Sequence, residues 1–193
     1  MLSLVTGGAA SGKSEYAEQI AQISAEPRIY LATMPRIPEA EERIRKHTER
    51  RKNLGFQTIE DPYLSDLSDR NEKAGTILLE DLPNLLANRL FSHVQQEEIP
   101  RGDSSSCFSD DPGTSDNICE KDRKILEALL RDIRCLNEKT EHLIIVSGDI
   151  FRDGISYSDD TKRYVELLGM LHSVLAEMAD RVVEVVCGIP IDH

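Results

Sequence analysis

Short apolar runs alternate along the chain with longer segments whose apolar residues recur every three to four positions. Leu2 to Thr6 reads as a strand buried on both faces, and Ser14 to Ile23 as the helix that follows it. Arg28 to Thr33 predicts a second strand, bounded by Pro27 and by Met34-Pro35. Glu39 to Lys52 predicts a charged helix, Phe56 to Ile59 a short strand, and Thr76 to Leu79 a buried strand ending in Glu80 and Asp81. A helix follows over Asn84 to Val94. Glu120 to Glu138 places Ile125, Leu129, Ile133 and Leu136 on one helical face. Leu143 to Ser147 is the next strand, Asp159 to Ala179 a long helix, and Arg181 to Cys187 a closing strand rich in valine. Strand and helix in alternation predict an α/β fold, a mostly parallel sheet with helices on both faces.

Gln95 to Asn117 breaks the alternation. It is rich in Ser, Asp, Gly and Pro and has little to bury, which predicts a mobile insertion rather than a second domain. Two roles stay open for it, a solvated linker or a lid or partner contact. The 193 residues otherwise suit one domain with one filled core.

Composition narrows the function classes. With 39% hydrophobic and 30% charged residues, and no run approaching the roughly 18 apolar residues of a membrane span, the chain reads as soluble. Its start lacks the basic and long apolar regions of a secretory signal, so a cytoplasmic enzyme is expected. A formal charge of -12 opposes general binding to nucleic acid but allows a local basic pocket for a small anion. Cys107, Cys119, Cys135 and Cys187 form no C-x-x-C pair, which predicts free thiols rather than a metal site.

The candidate chemistry begins at Gly7-Gly8-Ala9-Ala10-Ser11-Gly12-Lys13-Ser14, which fits G-x-x-x-x-G-K-[ST] between a strand and a helix. Such a loop turns backbone N–H groups inward as a nest for phosphate oxygens, and the helix N-terminus adds partial positive charge. Lys13 would neutralise the β- and γ-phosphates, and the Ser14 hydroxyl would ligate Mg²⁺. The other half of such a site is a carboxylate at a strand end, for which Glu80 and Asp81 are the candidates. Side-chain alternation sends the two to opposite faces, and either one can instead cap the next turn.

His47 lies four residues after Arg43, three before Arg50 and four before Arg51, so the four share a helix face. A cationic face on an acidic protein suits a phosphate chain, and a neutral imidazole there can attack an α-phosphate. Glu39, Glu41, Glu42 and Glu49 occupy the same segment, and from helix spacing alone a solvated helix of interleaved charges is the plainer reading.

Taken together, these features resemble the bifunctional adenosylcobinamide kinase / adenosylcobinamide-phosphate guanylyltransferase family of cobalamin biosynthesis. The likeness is carried by Leu4-Val5-Thr6-Gly7-Gly8-Ala9 with Ser11-Gly12-Lys13-Ser14, by Tyr30-Leu31-Ala32-Thr33, and by Arg43-Ile44 with His47 and Arg51. Thr58-Ile59-Glu60, Leu78-Leu79-Glu80 with Asn84 and Asn88, and Val185 to Pro190 extend it over most of the chain outside the insertion. The resemblance implies a RecA-like P-loop NTPase sheet and a homotrimer. It implies phosphorylation of adenosylcobinamide with ATP or GTP, then transfer of GMP from GTP through a guanylylated His47. Lys13 and Ser14 would serve the triphosphate, Glu80 the Mg²⁺, and Arg51 a phosphate. The chain departs from the family's Asn-Glu pair with Gly148-Asp149, places Leu82-Pro83 where small polar residues are usual, and has His172 in place of an asparagine. Two alternatives therefore stay open: a P-loop small-molecule kinase without guanylyltransferase activity, and a nucleotide-binding module that has lost catalysis.

Overall fold

The computed structural model describes residues 1–34, 54–65, 74–91, 119–150 and 157–193. The charged segment 39–52, with His47 and its arginines, and the insertion at 95–117 both lie outside the described residues.

The described elements are β1 (Leu2–Gly7), α1 (Lys13–Gln22), β2 (Arg28–Ala32), β3 (Phe56–Glu60), β4 (Ala74–Glu80), α2 (Leu82–Phe91), α3 (Glu120–Glu138), β5 (Thr140–Gly148), α4 (Asp159–Met178), β6 (Arg181–Val186) and β7 (Ile189–Asp192). The strands form one sheet in the order β3-β2-β4-β5-β1-β6-β7, parallel throughout except for the antiparallel β6–β7 pair. The expected α/β fold is met, and the order is RecA-like: β5 is inserted between the loop-bearing strand β1 and the acidic strand β4.

The absence of alternation in the central strands has a direct cause. Leu143, Ile144, Ile145 and Val146 are all fully buried, because β5 is covered on both faces. On one face Leu4, Leu79, Leu143 and Ile145 pack with Leu85, Leu86, Leu129, Ile133, Leu168 and Leu171 of α2, α3 and α4. On the other, Val5, Tyr30, Leu78, Ile144 and Val146 pack against Ala17, Ile20 and Ala21 of α1. That second face is the one on which the phosphate loop's helix lies.

Several bounds differ from the sequence expectation. β4 and β5 begin earlier, at Ala74 and Thr140, where no apolar run marks them. Backbone approach holds the start of β4: a Cβ on Gly75 would lie 2.5 Å from the Glu26 carbonyl oxygen. α2 begins at Leu82 rather than Asn84, since Pro83 in a first turn gives up no helical hydrogen bond. β7 was not anticipated. It is an exposed edge strand containing Pro190, so it shows no buried pattern to read. Its turn is Cys187-Gly188 with φ of 50° and 81°, the two positive angles of a tight hairpin.

Candidate functional site

The C-terminal ends of β1, β4 and β5 converge on the loop between β1 and α1. Gly7 must be glycine: a Cβ there would lie 2.5 Å from Ser11 Oγ and 2.6 Å from the Val185 carbonyl oxygen. Ala10 at φ 54° and Gly12 at φ 92° complete the turn that leads into α1. The loop is braced from outside by the β6–β7 turn, whose Gly188 N–H donates to the Ser11 carbonyl at 2.8 Å. From the β5 side, the Asp149 N–H donates to the Gly7 carbonyl at 3.0 Å. Lys13 Nζ folds back to donate to the Gly8 carbonyl at 3.1 Å. Gly8 itself has open space where a side chain would be.

Ser14 and Glu80, 66 residues apart in sequence, meet at this loop. The Ser14 hydroxyl donates to Glu80 Oε1 at 2.6 Å, and the Tyr30 phenol donates to Glu80 Oε2 at 2.5 Å. Asp81 turns elsewhere. Its Oδ1 accepts the Asn84 N–H at 2.8 Å, and so it caps α2. Burial pushes the Asp81 carboxyl above its ordinary value, the Asn84 N–H opposes this, and the charge of Glu80 adds to it. Thr33 holds this strand end in place: its Oγ1 accepts the Asp81 N–H at 2.8 Å and donates to the Asp81 carbonyl at 2.7 Å. Asn88 then donates to the Thr33 carbonyl at 2.8 Å.

Beside the loop, at the end of β5, Ser147 Oγ lies 2.6 Å from His172 Nε2 of α4. Burial pushes His172 below its ordinary value, and the charge of Asp149 partly offsets this. Two of the positions that depart from the resemblance, 149 and 172, are thus neighbours next to the phosphate loop.

Of the sequence-derived site residues, the structure brings Gly7, Gly8, Ala9, Ala10, Ser11, Gly12, Lys13, Ser14 and Glu80 together, while His47 and Arg51 lie outside the described residues. In the sequence Tyr30 and Thr33 mark only a strand. The signal for them is their place on β2, which pairs with β4 so that Ala32 stands opposite Glu80. Oxygen donors dominate the junction, and among the described residues no cluster of three His, Cys, Asp or Glu could hold a metal ion. The Ser14–Glu80 pair nevertheless fits a hard cation of the Mg²⁺ type, which takes one or two protein oxygens and completes its shell with phosphate and water. The Ser14 proton is committed to Glu80, which leaves the hydroxyl lone pairs available to such an ion. A cavity of about 930 Å³ lies apart from the loop, between α2, α3 and the 61–65 segment, and none of the phosphate-loop residues line it.

Sheet order, glycine-braced loop and serine–carboxylate junction define a P-loop enzyme that handles nucleoside triphosphates. The model of the family described as cobinamide kinase / cobinamide phosphate guanyltransferase matches residues 3–193, and the chain belongs to that family. It is 32% identical over 192 residues, 98% of this chain and 95% of the other, to the bifunctional adenosylcobalamin biosynthesis protein CobP of Pseudomonas aeruginosa. Among solved structures, a KaiC-like protein of Pyrococcus horikoshii aligns over 95% of this chain and 71% of its own, with 13% identity and a TM-score of 0.47. An ATPase from the type III secretion system of pathogenic bacteria aligns over 95% of this chain and 50% of its own, with 10% identity and a TM-score of 0.46. The expectation of a kinase and nucleotidyltransferase is met by the family.

Proposed function

We propose that this chain phosphorylates the free hydroxyl of adenosylcobinamide and then joins GMP to the new phosphate, working in the cytoplasm as a single-domain homotrimer. The observation that carries the reading is the contact of Ser14 with Glu80 at the mouth of the phosphate loop. In the first step the substrate hydroxyl oxygen attacks the γ-phosphorus of ATP or GTP. The bond to the β-phosphate oxygen breaks, the nucleoside diphosphate leaves, and the hydroxyl proton passes to a base or to solvent. Lys13 and the inward N–H groups of residues 7–14 hold the triphosphate and stabilise charge on the transferring group. Glu80 and Ser14 would hold Mg²⁺, which supplies charge neutralisation across the phosphate oxygens when bound. Lys13, now bonded to the Gly8 carbonyl, exchanges that neutral acceptor for a phosphate oxygen.

In the second step a nitrogen of His47 attacks the α-phosphorus of GTP and pyrophosphate leaves. A phosphate oxygen of the corrinoid then attacks the same phosphorus, the P–N bond breaks, and the imidazole is restored. Splitting the transfer lets each half proceed as an in-line displacement. Arg51 would hold a phosphate during the exchange. The family match over residues 3–193 supports the two activities; the histidine route rests on the sequence pattern around His47.

The test is covalent labelling with GTP radiolabelled at the α-phosphate, beside a His47→Ala variant. Acid-labile label on the wild type and none on the variant is the expected result. An unlabelled wild type at saturating GTP and Mg²⁺ would overturn the guanylyl-histidine route and leave a kinase or a binding module.

A further inference from the structure

We infer that Tyr30 is a positioning residue for the metal-serving carboxylate of Glu80, an inference that rests on the reading of Glu80 given above. Tyr30 is 2% exposed and stands on β2 opposite Leu78 in the parallel register, two residues before the position opposite Glu80. Residues two apart share a face, so Tyr30 lies on the face that carries Glu80 and is covered by α1. The residue that stands opposite Glu80 is Ala32, whose small side chain leaves room for the longer phenol to lean along the strand. Two residue rises, about 6.6 Å, are within the reach of a tyrosine side chain. The phenol ends 2.5 Å from Glu80 Oε2.

The ring is not held by that hydrogen bond alone. It packs edge-to-face on Phe56 of β3, with centroids 6.3 Å apart and planes at 84°. The oxygen therefore sits on a rigid, buried lever, whereas Glu80 has three rotatable bonds. With Ser14 on Oε1 and Tyr30 on Oε2, both carboxylate oxygens have a donor and the plane of the group is set. A carboxylate oriented in advance pays no rotamer entropy when a cation and its water arrive. Tyr30 thereby favours the metal-loaded nucleotide complex without touching the nucleotide.

The experiment measures the affinity of the full chain for a non-hydrolysable GTP analogue, with and without Mg²⁺, in wild type, Tyr30→Phe, Glu80→Gln and the double variant. Tyr30→Phe removes the hydroxyl and keeps the ring on Phe56. The expected result is a metal-free affinity unchanged from wild type, with roughly tenfold of the Mg²⁺-dependent gain lost. Glu80→Gln is expected to lose at least as much, and the double variant no more than Glu80→Gln alone. Loss in Glu80→Gln with none in Tyr30→Phe would overturn the positioning role and leave the reading of Glu80 intact. Retention of the full gain in Glu80→Gln would overturn that underlying reading as well. Equal weakening of Tyr30→Phe with and without Mg²⁺ would make the tyrosine merely structural and overturn the inference.

Discussion

Neighbouring glycines of the phosphate loop have opposite tolerances for a side chain. A methyl on Gly7 would meet the Val185 carbonyl oxygen, which belongs to a paired strand and cannot move aside cheaply; a methyl on Gly8 meets nothing within 4 Å. Gly7→Ala is therefore expected to cost about 1–3 kcal/mol of stability, while Gly8→Ala stays within about 0.5 kcal/mol. Urea denaturation of the two variants checks the contrast. His142 gives a second prediction at this scale. It bridges Ser3 Oγ and Ser24 Oγ, each at 2.9 Å, and burial pushes its ionisation below the ordinary value, followed by the N-terminal charge and Arg181, with Asp180 opposing. Ser24 Oγ already donates to the Ile20 carbonyl, which points to a proton on Nδ1 and the Nε2 lone pair toward Ser3. The folded state thus holds a neutral ring, and the unfolded chain binds the proton more readily. The resulting stability is present above the unfolded pKa of about 6.5 and is lost as pH falls through the lower folded value. Thermal melts between pH 8 and 5 are expected to show a shallower acid decline in His142→Gln than in wild type. At pH 8 the variant is expected to be about 1–2 kcal/mol less stable through its altered hydrogen bonds.

Between elements, the contact of α3 with α4 rests partly on charge. Arg163 Nε donates to Asp122 Oδ2 at 2.7 Å, and its Nη2 reaches the other carboxylate oxygen. The Asp122 side chain is 5% exposed and that of Arg163 is 36% exposed, so the arginine can return to water if the pair is broken. Burial alone would raise the Asp122 carboxyl, and Arg163, with smaller contributions from Cys119 and Lys121, more than offsets it, leaving it below the ordinary value. Asp122→Asn is expected to lower stability by about 1–3 kcal/mol in urea. Glu120→Gln, which breaks exposed pairs with Arg123 and Lys124, is expected to change nothing measurable. The α3 span was legible to the residue, Glu120–Glu138, because its apolar positions recur with helical period. The starts of β4 and β5 were not, since Ala74-Gly75 and Thr140 are held by backbone pairing and by Thr140 Oγ1 bonding the Gly75 carbonyl at 3.2 Å. An exposed edge such as β7 buries none of its four residues, Ile189 and Ile191 included, so no core-facing pattern marks it.

Across the whole molecule, three helices cover one face of the sheet and α1 the other among the described residues, and no described helix is long and apolar enough to cross a membrane. The proposed homotrimer predicts a sedimentation-equilibrium mass three times that of the 21.7 kDa chain; a monomer mass at micromolar concentration would contradict it. The sequence by itself determined the fold class and the phosphate loop, because burial on two faces and the glycine spacing are local properties written in consecutive residues. It placed an acidic pair at the end of β4 but left two carboxylates in contention for the loop. Tertiary structure alone divided their contacts, setting Glu80 against Ser14 on α1 and Asp81 at the start of α2. It alone also brought Tyr30, 50 residues away, onto Glu80. Strand order is the physical reason: which residues meet across a parallel sheet depends on crossovers between distant segments, and no local periodicity encodes that pairing.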